Sequence, residues 1–148
     1  MGVILGIEST AHTFSFGGVY TNGKTIPSSS ALFRPEQGGI HPREAADHHS
    51  LLSGNLFKEF ISKNHIPVNQ IDGIAFSQGP GLGPCLRVGA SVARSLSDKI
   101  GKPLVGVNHC VAHIEIGRLQ TGCQDPCLLY TSDAADDTPC VDLGGRRI

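Results

Sequence analysis

The chain has 148 residues, 39% hydrophobic and 17% charged, with a formal net charge of −1. That length holds one domain or one lobe of a larger protein, and the near-neutral balance offers no general basic footprint for nucleic acid. No run approaches the roughly eighteen apolar residues of a membrane-spanning helix, Glu8 interrupts the first apolar run too early for a signal peptide, and five cysteines without regular spacing point to reduced thiols, so a cytoplasmic chain with no membrane partner is expected.

VILGIES (3–9) is a short apolar run ending in small polar residues, and predicts a buried first strand. TFSFGGVYT (13–21) is rich in β-formers and pairs with it as a hairpin, the Ser-Thr-Ala-His segment making the turn. Asn22-Gly23 signals the next turn, before a third strand within 25–33. Gly38 to Pro42 is loop, with Pro42 placed to open a helix. From Arg43 to about Lys63, apolar residues at 46, 52, 56, 57, 60 and 61 keep helical spacing. IDGIAFS (71–77) is a further strand, GPGLGP (79–84) a loop, and 85–100 a helix ended by Gly101. PLVGV (103–107) is a short strand, and 108–122 a helix with Asn108 as N-cap.

The order β-β-β-α-β-α-β-α, a meander followed by strand–helix crossovers, predicts a mixed α/β sheet with flanking helices. It is the order of one ribonuclease-H-like lobe, the unit duplicated in the actin, Hsp70 and sugar-kinase (ASKHA) ATPases. From Cys127 the text changes to an Asp- and Ala-rich run ending in Gly-Gly-Arg-Arg-Ile, with no helical or strand period. It looks like translated sequencing-adapter DNA. The expected division is therefore 1–126, an incomplete N-terminal lobe, and 127–148, a non-native tail left out of the fold reading.

Four constellations carry polar chemistry. His109 and His113 stand at i and i+4 on the last helix, on one face and within reach of one cation. Two imidazoles suit zinc or iron but need at least one further ligand, and the plainer alternative is that they cap or pack the helix. Cys110 occupies the position where a metalloprotease helix carries its general-base Glu, which disfavours hydrolysis by that route. GIESTAHT (6–13), at the first hairpin turn, has small residues that let backbone N–H groups approach a phosphate, with Ser9 and Thr10 as hydroxyl donors; an ordinary polar turn is the alternative. SQGPGLGPCLRVG (77–89) is a strand, a glycine loop containing Gly79 and Gly81, and a helix start able to face an anion. It lacks the Lys-Ser/Thr of a Walker loop, and a tight structural turn competes. GGIHPREAADHH (38–49) gathers His41, His48 and His49. The last two are adjacent and point differently on a helix, so hydrogen-bonded packing or substrate contact is preferred to a second metal. His12 and His65 read as solvated surface.

Taken together, GIESTAHTFSFGGV, GGIHPREAADHH, IDGIAFSQGPGLGPCLRVGASVARSLS and PLVGVNHCVAHIEIGRL resemble the archaeal tRNA N6-adenosine threonylcarbamoyltransferases. These are the catalytic subunits of the KEOPS complex, formerly called O-sialoglycoprotein endopeptidases. The resemblance runs from Gly6 to Pro126, about the first third of the family's usual length. It implies a two-lobed actin/Hsp70-like fold and transfer of a threonylcarbamoyl group from threonylcarbamoyl-AMP to N6 of the adenosine beside the anticodon of tRNA. It implies one divalent metal, iron or zinc, on His109, His113, a later tyrosine and a distant aspartate. It also implies AMP or ATP near Ser9, Thr10, His12, Gly79 and Gly81, and partnership with tRNA, a small kinase and accessory KEOPS subunits. The family continues past Asp125-Pro126 into a Leu-Tyr-Val-Ser-Gly-Gly-Asn loop. Here Tyr130 and Ser132 fall in register with it, as metal ligand and adenylate contact, but Asp133 and Ala134 replace the glycines. If 127–148 is adapter, that register is coincidence.

Two competing functions stay open at this level. A kinase of the same fold would need an aspartate to activate a hydroxyl and no His pair. A scaffold subunit would use the 43–64 helix as a partner surface. A fragment of this extent is expected to be inactive alone.

Overall fold

The computed structural model describes residues 2–35 and 37–124. Its elements are β1 (Val3–Glu8), β2 (Thr13–Tyr20), β3 (Thr25–Leu32), α1 (Pro42–Lys63), β4 (Ile71–Gly79), α2 (Gly83–Ile100), β5 (Leu104–Asn108) and α3 (His109–Thr121). A single 3-10 turn, Val68–Gln70, was not anticipated from sequence. The order otherwise follows the expectation, with bounds shifted by a residue or two at most ends.

The five strands lie in the order β3-β2-β1-β4-β5. β1 pairs antiparallel with β2, and β2 with β3; β1 pairs parallel with β4, and β4 with β5. The sheet is therefore mixed: the meander supplies hairpin pairings, and the crossovers through α1 and α2 supply parallel ones. The C-terminal ends of β1, β4 and β5 share an edge, where open α/β sheets bind ligands.

Alternation along the strands sends Val3, Leu5 and Ile7, with Phe14 and Phe16, to one face, where α1 and α2 cover them. α1 contributes Leu56 and Phe60 to this core, and Phe14 meets Phe16 edge-on at 5.5 Å. The helix ends are chemically marked. Pro42 opens α1, Gly101 (φ 70°) closes α2 in the left-handed conformation, and the Asn108 side chain caps α3 by accepting from the Cys110 and Val111 amides at 2.9 and 3.2 Å. α3 stands near β4 and β5 and buries no residue fully.

Candidate metal and phosphate site

β1 ends at Glu8 and β5 runs straight into α3, so the parallel pairing brings Glu8 beside the first turn of that helix. His109 Nδ1 lies 3.1 Å from Glu8 Oε2, and the other carboxylate oxygen accepts the Thr10 amide at 2.6 Å. Burial pushes the Glu8 carboxyl upward, but hydrogen bonds from Thr10 and His109 together outweigh it and hold the group below its ordinary range. An ionised Glu8 can only accept, so Nδ1 of His109 carries the proton and a neutral ring presents a bare Nε2. That Nε2 sits 3.2 Å from His113 Nε2, the rings perpendicular with centroids 4.5 Å apart.

Two geometries fit this spacing. One nitrogen can donate to the other, or both lone pairs can converge on a cation. Imidazole nitrogens bound tetrahedrally at about 2.0–2.1 Å lie about 3.3 Å apart, so the observed 3.2 Å suits a shared metal. The carboxylate behind His109 is the usual outer partner of a ligating histidine. Among the described residues no set of three His, Cys, Asp or Glu converges, so the pair accounts for two ligands. Tyr130 and Ser132 lie outside the described residues.

The first hairpin turn and the glycine loop meet. The Leu82 amide donates to the Thr10 carbonyl at 2.7 Å, and a Cβ on Gly81 would stand 2.5 Å from that same oxygen. Gly79 ends β4 at the same edge. Ser9 and Thr10 are both buried. The Ser9 amide donates to Ser77 Oγ at 3.1 Å, while its hydroxyl is packed against Gly89 of α2 without a hydrogen-bond partner among the described residues. His12 is exposed on the turn. A cavity of about 580 Å³ opens below α3, lined by Glu8, Ser15, Ser28, Ser77, His109 and His113 among others.

The histidines of α1 are held in hydrogen-bonded packing, one of the two roles preferred for them. His48 and His49 were expected to point apart, yet their Nδ1 atoms approach to 3.3 Å, and His49 Nε2 reaches the Ala11 carbonyl at 2.9 Å. His49 is fully buried, whereas His41 and His65 are exposed. Glu8 was missed as a site residue. The only trace of it in the sequence is a carboxylate placed where an apolar strand ends.

This topology is one ribonuclease-H-like lobe of the actin/Hsp70 class. YeaZ from Pseudomonas aeruginosa superposes with a TM-score of 0.63 at 15% identity, covering 84% of this chain and 51% of that one. The chain belongs to the TsaD family, tRNA N6-adenosine threonylcarbamoyltransferase, which it matches over residues 24–138. It is 53% identical over 147 residues to the tRNA N6-adenosine threonylcarbamoyltransferase of Caldivirga maquilingensis, and 49% over 145 residues to that of Thermofilum pendens. Those alignments cover 99% and 98% of this chain but 44% and 43% of the relatives, so the chain spans less than half their length.

Proposed function

We propose that this chain is the N-terminal lobe of a threonylcarbamoyltransferase acting on tRNA. The full-length protein takes the threonylcarbamoyl group from threonylcarbamoyl-AMP, joins it to N6 of the adenosine beside the anticodon, and releases AMP. The observation that carries this reading is the Glu8–His109–His113 relay at the edge where the first hairpin turn meets the glycine loop. A kinase of the same fold has no need of such a pair.

In this reading His109 and His113 would hold one iron or zinc ion, joined by a tyrosine and an aspartate from the rest of the full-length protein. The bound ion supplies Lewis acidity and a template for the threonyl group. Glu8 keeps the proton on His109 Nδ1 and so leaves Nε2 as a ligand. The Ala11 and His12 amides, which have no acceptor among the described residues, face the adenylate phosphate together with Gly79 and Gly81. Among the described residues no helix is long and apolar enough to cross a membrane. The reading carries with it work on tRNA in the cytoplasm alongside the other KEOPS subunits.

The full-length protein, loaded with iron or zinc and mixed with threonylcarbamoyl-AMP, tRNA and partner subunits, is expected to form threonylcarbamoyladenosine. Absence of that nucleoside despite bound metal and assembled partners would overturn the reading. On composition, the family-derived part ends near Pro126 and 127–148 is a non-native tail, although the family match reaches residue 138. An uninterrupted genomic reading frame through those codons would remove that proposal.

A further inference from the structure

Three successive carbonyls of the first hairpin turn are tied down by donors from three different places. The Thr10 oxygen accepts from the Leu82 amide at 2.7 Å, the Ala11 oxygen from His49 at 2.9 Å, and the His12 oxygen from the Phe33 amide at 2.7 Å. Two of these donors are backbone groups. The middle one is a side chain, and it is fully buried.

The tautomers follow from the partners. A carbonyl can only accept, so His49 Nε2 carries a proton, and in the neutral ring Nδ1 is then an acceptor. The group facing it is His48 Nδ1, 3.3 Å away, which must therefore donate. Phe14 packs against His49 at 5.5 Å between ring centroids, and Phe33 against His48 at 5.4 Å, so both rings are clamped. The polar chain runs from His48 through His49 to the turn.

We propose that His49, oriented by His48, is a positioning residue for the first hairpin turn: it holds the Ala11 carbonyl back so that the Ala11 and His12 amides stay free to meet an anion. The functional half of this inference rests on the reading of that turn as the phosphate site.

The test compares the full-length protein with its His49→Phe variant, which fills the space without a donor, and His49→Gln, which keeps an N–H. Ring nitrogen shifts of the unsubstituted chain should show His49 protonated at Nε2. Loss of the donor should speed exchange of the Leu82 and Phe33 amides about tenfold, equivalent to about 1.4 kcal/mol, while Leu5 and Ile74 in the sheet stay protected. His49→Gln should restore slow exchange. Unchanged exchange in His49→Phe, an equal rise across the sheet, or no rescue by Gln would each overturn the positioning role. AMP then serves as the probe of function. It should shift the Ala11 and His12 amide signals and bind about tenfold more weakly to His49→Phe; equal binding overturns the functional half. AMP that leaves both signals unmoved in the unsubstituted chain sinks the phosphate reading alone, since tautomer and exchange are measured without it.

Discussion

The metal-binding role proposed for His109 requires its proton to stay on Nδ1, and Glu8 is the group placed to keep it there. In the full-length protein, replacing His109 or His113 by Ala should abolish stoichiometric zinc binding, whereas Glu8→Ala should retain it at about 10- to 100-fold lower affinity; calorimetric zinc titration of the three variants separates these outcomes. His49 gives a pH signature of its own. Burial, set against the Ala11 hydrogen bond and joined by the charges of His48 and His12, holds its pKa below an imidazole's ordinary 6.5. Below that pH the unfolded chain therefore binds more protons at this site than the folded one. The contribution to stability is full above pH 6.5 and falls as pH drops toward the folded-state value. Urea unfolding across pH 5–7 should show that slope in the unsubstituted chain and a shallower one in His49→Phe. Glu8 was not legible in the sequence as a site residue, and His49 was legible only as a packed or substrate-contacting histidine whose partner stayed unnamed, for different reasons. Glu8 meets a partner 101 positions away, and nothing local records that. His48 and His49 are neighbours on one helix, and nothing local records that their Nδ1 atoms approach to 3.3 Å.

The elements themselves were legible because each carries its own period and its own stop. Short apolar runs and β-formers marked the strands, Pro42 and Asn108 marked helix starts, and Gly101 marked the end of α2. What periodicity could not show was how closely the elements approach. Gly81 touches the turn at a backbone oxygen that cannot swing aside, so Gly81→Ala should lower stability by about 1–3 kcal/mol, as overpacking does. Gly54, midway along α1, meets nothing within 4 Å. Gly54→Ala should raise stability by about 0.5–1 kcal/mol through helix propensity alone. Chemical denaturation of the two variants reads the contrast directly: one glycine is there for contact, and the other only costs the helix entropy.

For the molecule as a whole, the sheet order gathers the ends of β1, β4 and β5 on one edge, and the residues of highest chemical interest all lie there. α3 is the element this arrangement holds least firmly. It carries both imidazoles, yet none of its residues is fully buried, and Val111 and Leu119 stand about half exposed at 49% and 50%. Such a helix has little apolar contact to resist local opening. A cation that binds only when the helix is docked therefore acts as a clasp. Zinc at a hundred times its dissociation constant should stabilise the docked form by about 2.7 kcal/mol. Slower amide exchange within α3, with β1 and β4 unchanged, would report it. If the histidine pair holds a metal as proposed, it has two readouts in one place: occupancy of the metal is also a measure of whether this helix is seated.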